Sequence, residues 1–203
     1  MDKWERLAGE ESIKRAVAAL KANGIEAFVV ENGAEAKRKV FEILPKGAEV
    51  IDMTSITLDV IGVSKEILES GRFNSVRKKL NALDWKTQGD EMRKLGAAPE
   101  WTVGSVHAAT EDGSLLIASN TGSQLPAYAS SAAHVIWVVG AQKIVKDTTE
   151  GLKRIYEYSF PLEDERAQKA YGMHSGVNKI LIVNKEVAPG RITVIFVKEK
   201  LGF

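Results

Sequence analysis

The chain has 203 residues, 44% hydrophobic and 27% charged, a size and balance that bury a core without staples and fit one domain over 1–203. Its 28 Lys and Arg face 27 Asp and Glu, so the net charge of +1 gives no long-range pull toward nucleic acid, and no basic stripe interleaved with aromatics appears. There is no cysteine, which excludes disulfides, thiolate catalysis and any iron–sulfur cluster or Cys-ligated zinc held by this chain.

In chain order, Trp4, Leu7, Ile13, Ala16, Val17 and Leu20 make one helical stripe closed by Asn23-Gly24, so a helix is predicted over about 2–23, its packing on this domain or on a partner left open. IEAFVV at 25–30 reads as a strand. Ala36, Val40, Phe41 and Leu44 form a second stripe ended by Pro45 and Gly47, and AEVIDM at 48–53 is the next short apolar run. That alternation is the mark of a parallel sheet with helical crossovers. Residues 54–100 read as mostly helical, with the charges from Lys65 to Lys94 on a solvated face. Strands come next at Val103–Ala109, Leu115–Ala118 and HVIWVV at 134–139, the last apolar on both faces like a central parallel strand. Asp147 or Thr148 caps a helix carrying Leu152, Ile155 and Tyr156, and Pro161 breaks it or starts the next. KILIVNKEVAPGRITVIFVKE then gives two strands about a tight Pro189-Gly190 turn, predicted to pair antiparallel. The fold class expected is α/β: three-layer α/β/α, a mostly parallel sheet and an antiparallel C-terminal hairpin. No apolar run approaches the roughly 18 residues that span a bilayer, and the amino terminus lacks an apolar signal core, so a cytoplasmic protein with no membrane partner is expected.

The segment TEDGSLLIASNTGSQLP at 110–126 carries the clearest candidate site. In open α/β sheets, ligands sit beyond the carboxyl ends of strands and near helix amino termini. Asn120, Thr121, Gly122 and Ser123 would there offer backbone N–H groups, hydroxyls and an amide to a phosphate or carboxylate. The competing reading is an ordinary strand–helix turn, where these residue types are common. Gln142 and Lys143 come after the 134–139 strand and Gly140, placing an amide and an ammonium at its carboxyl end. Glu111, in Glu111-Asp112-Gly113, is either one carboxylate base or nucleophile or simply part of a hairpin turn. Among the histidines, His107 and His174 lie in polar surroundings that suit a ligand or acid–base role, while His134 opens an apolar strand and reads as packed. No pair has the spacing of a helical zinc site, so no metal is expected. Asn178-Lys179 begins a strand, the wrong end for the parallel-sheet rule, and reads as structural. Walker, GxGxxG and nucleophile-elbow patterns are lacking.

SVHAATEDGSLLIASNTGSQLPAYASSAAHVIWVVGAQKIVKD at 105–147 resembles the core of the LUD (lactate-utilisation) domain family, in its short, cluster-free branch. SGVNKILIVNKEVAPGRITVIFVKEKLGF at 175–203 resembles that family's carboxyl-terminal signature, and TSITLDVIG at 54–62 an earlier S-x-TL-x-x-IG segment. The resemblance implies the fold of the ribose-5-phosphate isomerase, glucosamine-6-phosphate deaminase and CoA-transferase type. It also implies work beside iron–sulfur oxidoreductase subunits that oxidise L-lactate to pyruvate, and it brings no catalytic residue with it. In CoA transferases a Glu followed by a small residue and Gly is a covalent nucleophile, and Glu111-Asp112-Gly113 is faintly similar.

Three functions are therefore expected in competition. The first is an accessory subunit of organic-acid metabolism that binds a small anionic metabolite through Asn120, Thr121, Gly122 and Ser123, with Gln142, Lys143 and His107 facing the same crevice. The second is a free-standing transferase or isomerase for a phosphorylated or CoA-linked substrate, with Glu111 as base or nucleophile pointing into that crevice. The third is a non-catalytic assembly subunit with an exposed apolar surface and an empty or collapsed strand-end cleft. Self-association is left open in all three.

Overall fold

A computed structural model describes residues 2–203. Six parallel strands, β1 (Glu26–Val30), β2 (Glu49–Asp52), β3 (Asn74–Ser75), β4 (Trp101–Gly104), β7 (His134–Gly140) and β10 (Ile192–Val197), form the central sheet in the order β1-β10-β7-β4-β2-β3. The apolar run of β7 sits between β10 and β4 and is buried from Val135 onward, as a run apolar on both faces requires. Its side chains alternate between two cores. Val135, Trp137 and Val139 join one cluster with Leu20 of α1 (Glu10–Ala22), while Ile136 and Val138 join another with Val40 of α2 (Gly33–Ile43) and Leu58 of α3 (Ile56–Val60). The architecture is α/β, a mostly parallel sheet between helical layers.

Local signals set the boundaries. Asn32 caps α2 by accepting from the Glu35 amide at 3.0 Å, while Glu35 returns a bond to the Glu31 amide, a reciprocal capping box. Asp147 caps α7 (Thr148–Arg154) in the same way through the Glu150 amide. A π-helical turn over Ile155–Ser159 joins α7 to α8 (Phe160–Tyr171), with Pro161 in the first turn of α8. The stretch 54–100 holds α3, α4 (Val63–Glu69), α5 (Val76–Leu80) and α6 (Trp85–Ala97), with the two-residue β3 among them.

The structure corrects the sequence reading in three places. The helix expected over about 2–23 is a short 3-10 turn at Lys3–Glu5 followed by α1, which packs Ile13, Ala16 and Leu20 into the core. The expected strand at 103–109 is two strands, β4 and then β5 (Ala108–Thr110), separated by Ser105-Val106-His107. The C-terminal strands are not an antiparallel hairpin. β9 (Lys179–Val183) pairs antiparallel with β6 (Leu115–Ser119). Together with β5 and β8 (Ile144–Val145) they make a second, four-stranded sheet of order β8-β5-β6-β9. β10 instead enters the parallel sheet between β1 and β7. The Pro189-Gly190 turn thus carries the chain from one sheet to the other. Arg191 holds that crossing by donating to Glu186 at 2.6 Å and to the carbonyls of Tyr128 and Ala132. A local turn signal fixes that the chain reverses, but not which strands it reverses between.

The small sheet packs Leu115 and Ile117 toward the parallel sheet and Leu116 and Ala118 toward Ile155 and Tyr158 of the α7–α8 connection. No helix among the described residues is long and apolar enough to cross a membrane.

Candidate functional site

Three neighbouring strands of the parallel sheet, β7, β4 and β2, end side by side, and the segments leaving their carboxyl ends converge on one point. After β7, the 3-10 turn Ala141–Lys143 turns Lys143 inward. After β4 comes Ser105. After β2 comes the loop to Thr57 on α3. Lys143 Nζ donates to Thr57 Oγ1 at 3.1 Å, Ser105 Oγ at 3.2 Å and the Val106 carbonyl at 3.2 Å. These groups border a cavity of about 770 Å³, walled on other sides by residues 117–124, the end of β6 and the loop after it, by Arg77 and Leu80 of α5, and by Phe160, Glu163 and Arg166 of α8. A cleft of this size falls in the range that encloses small-molecule ligands. It also obeys the rule that open parallel sheets bind at their carboxyl ends.

The floor of the cleft is positive. Lys143 is only 2% exposed, and every hydrogen-bond partner it has is an uncharged oxygen. Burial, then the nearby Arg154 charge, pushes its amine well below the usual lysine range. Arg154 is fully buried behind Ser159, a cleft residue, and donates to Ser159 Oγ at 3.0 Å and to the carbonyl of His107. Its Nε and Nη2 have no hydrogen-bond partner among the described residues. Burial brings its guanidinium down to about 10, so it stays charged at neutral pH. His107 lines the cleft and accepts the Ala118 amide proton on Nδ1 at 3.1 Å, which leaves its own proton on Nε2. Burial and the two cations hold it at about 3, a neutral imidazole and no base. By contrast Arg77 is neutralised by Asp52 at 3.0 Å and Arg166 by Glu163 at 2.7 Å.

Only some of the residues singled out in the sequence meet in this cleft. Asn120, Thr121, Gly122 and Ser123 all line it. Gly122 has φ +85°, and a Cβ there would lie 2.6 Å from Lys179 Cδ, so the turn uses glycine both for its backbone and for its closeness to β9. Its amide donates to Ser119 Oγ at 2.8 Å, and the Thr121 and Ser123 hydroxyls bond each other at 3.2 Å. The loop leaves a strand of the small sheet rather than of the parallel sheet, so two sheets converge on one cleft. The chain after Pro126 forms a π-helical turn, Ala127–Ser131.

Gln142, expected beside Lys143 in the crevice, points elsewhere. Its amide donates to the Leu201 and Gly202 carbonyls at 2.9 and 3.2 Å and pins the C-terminal segment. Successive residues of a tight turn face different ways, and the two functions separate there. Glu111 is not in the cleft either. It sits on the β5–β6 turn, where it accepts from Ser12 at 2.5 Å and Arg15 at 2.8 Å of α1. That placement removes the reading of Glu111 as a base or nucleophile pointing into the crevice. His134 stacks on Trp101 at 4.1 Å, as a packed residue should. His174 is bound to Asp164 at 2.9 Å on the loop after α8.

Asn178 and Lys179 lie beside the cleft loop: because β9 runs antiparallel to β6, the start of one neighbours the end of the other. Asn178 donates to Asn120 Oδ1 at 2.7 Å and braces the loop. Thr57 and Ser105 lay in segments that resemble the family but were not singled out as site residues, and Arg154 carried no signal of its own. Only the sheet order could reveal them.

The structure of a DUF162 family protein from Deinococcus radiodurans resembles this chain with a TM-score of 0.59 at 13% identity, covering 95% of this chain and 99% of that one, which establishes a shared fold. No curated protein matches. The model of the LUD domain matches residues 13–197, a span that takes in both sheets and the cleft between them, and the chain belongs to the LUD domain family.

Proposed function

We propose that this LUD-domain protein serves organic-acid metabolism by binding a small organic-acid anion in the strand-end cleft, as an accessory subunit to iron–sulfur proteins that oxidise L-lactate to pyruvate. The carrying observation is the fully buried Arg154 guanidinium, charged and hydrogen-bonded only to uncharged oxygens, beside a Lys143 amine whose partners are likewise two hydroxyls and a carbonyl. A buried charge without a counter-ion is costly, and an incoming carboxylate or phosphate offsets that cost. The hydroxyls and amides of Asn120–Ser123 on the opposite sheet supply neutral hydrogen bonds of the kind that orient such an anion.

The test is a thermal-shift screen of lactate, pyruvate, sugar phosphates and CoA esters on the wild type and on a Thr121→Ala/Ser123→Ala double variant. A ligand at about 100 times its dissociation constant stabilises by roughly 2.7 kcal/mol. For a chain of this length that raises the melting temperature by about 5–11 °C. A shift lost in the variant supports the site, and the absence of any shift refutes it. Co-purification with a cluster-bearing partner tests the accessory role separately.

A further inference from the structure

Lys143 is held in a way that leaves its nitrogen free to be a base or a nucleophile. A lysine paired with a carboxylate is locked as an ammonium. Here the partners are two hydroxyls and a carbonyl, and a hydroxyl donates as readily as it accepts. A neutral amine is therefore satisfied by the same three groups: it donates to the Val106 carbonyl and one hydroxyl and accepts from the other. Burial and the Arg154 charge both favour that neutral form. The side chain is enclosed by protein on its stem and borders the cleft. Amines in this setting are the ones that condense with carbonyl compounds.

We infer that Lys143 Nζ is a nucleophile that forms an imine with the carbonyl carbon of a 2-oxo acid bound in the cleft. This rests on the anion-binding reading and names its substrate class. The nitrogen lone pair attacks the carbonyl carbon and forms the C–N bond. The carbonyl π electrons move to oxygen, which takes up the proton that nitrogen gives away. The hydroxyl of that carbinolamine then takes a second proton and leaves as water while nitrogen closes the C=N bond, and the iminium nitrogen gives one proton back as it becomes the imine. One acid and one amine give one imine and one water, with no oxidant or reductant. Ser105 and Thr57, 3.2 and 3.1 Å from Nζ, are the hydroxyls within reach of these protons. The acid's own carboxylate faces the iminium charge that the empty floor has no counter-ion for. A 2-hydroxy acid has no carbonyl and can only bind. The cleft volume leaves room for acids longer than three carbons.

The experiment is borohydride trapping. The full chain is incubated with pyruvate, or with 2-oxoglutarate, and reduced with sodium borohydride, with lactate as the carbonyl-free control. Intact mass and peptide mapping then locate any adduct. The expected result is one reduced adduct on Lys143, with no adduct from lactate and its loss in Lys143→Arg. Because the site is mapped in the wild type, misfolding of the variant does not blunt the test. Adducts spread over surface lysines would overturn the inference. Thermal stabilisation by either acid without trapping would also overturn it and leave the anion reading intact. Neither stabilisation nor trapping would remove both.

Discussion

The Arg154 guanidinium donates to the backbone carbonyl of His107, so a fixed positive charge lies behind the imidazole that borders the cleft. Charge and burial act in the same direction on that ring and hold it at about 3. In an unfolded chain the imidazole titrates near 6.5. The folded state therefore binds fewer protons than the unfolded state between those values, and stability falls as pH drops from about 6.5 toward 3. His107→Asn is expected to flatten that acid limb in urea melts taken across the range. In the wild type the His107 ring resonances should stay unchanged from pH 8 to pH 4 in NMR spectra, and a mid-range titration would refute the assignment.

Lys143 acts in the same direction at higher pH. Its folded-state value is depressed, so between that value and about 10.5 the unfolded chain holds a proton that the native one has lost. Stability then rises with pH, with a limiting slope of about 1.4 kcal/mol per pH unit. Lys143→Met removes the charge and keeps the bulk, and it should abolish the rise while costing little at pH 7. Chemical denaturation at pH 7 and pH 10 measures the difference.

Glu111→Gln separates the turn from the site. The carboxylate bonds Ser12 and Arg15 at the edge of α1, away from the cleft. Partly solvated pairs of this kind contribute about 0–1 kcal/mol. The variant should lose no more than that and keep every ligand-induced shift of the wild type. A lost shift would return Glu111 to the chemistry.

Gly104 ends β4 against the edge of Tyr128, and a Cβ there would fall 1.8 Å from the tyrosine oxygen. Tyr128 is itself wedged edge-on against Trp137 at 5.1 Å and cannot retreat without opening the core. Gly104→Ala should therefore cost about 1–3 kcal/mol or more, read from the midpoint of denaturation. Gly122→Ala meets only the flexible stem of Lys179, and its cost should come from the positive φ alone, about 1–2 kcal/mol.

Much of the fold was legible because its signals are local. The β7 run, the Asp147 cap and the Asn120–Ser123 turn can each be read within ten residues of chain. The features that escaped depended on neighbours in space. Asn178-Lys179 looked misplaced because the orientation of β9 is set by β6, about sixty positions earlier, and the C-terminal hairpin failed for the same reason. Gln142 and Lys143 are adjacent in sequence yet serve the C-terminal segment and the cleft respectively. Arg154 is one more basic residue within a helix that carries Leu152, Ile155 and Tyr156, and only the packing around that helix shows it fully buried.

The position of β10 governs how this chain reaches its structure. It comes after every other strand in sequence, yet it is paired on both sides, to β1 and to β7. While it is still being synthesised, two apolar strands carry open hydrogen-bonding edges with no partner. Such edges invite pairing with other chains. Joining β1 to a strand more than 160 residues away also makes for slow closure. Without β10 the sheet would be split between β1 and β7, and this one strand closes both edges.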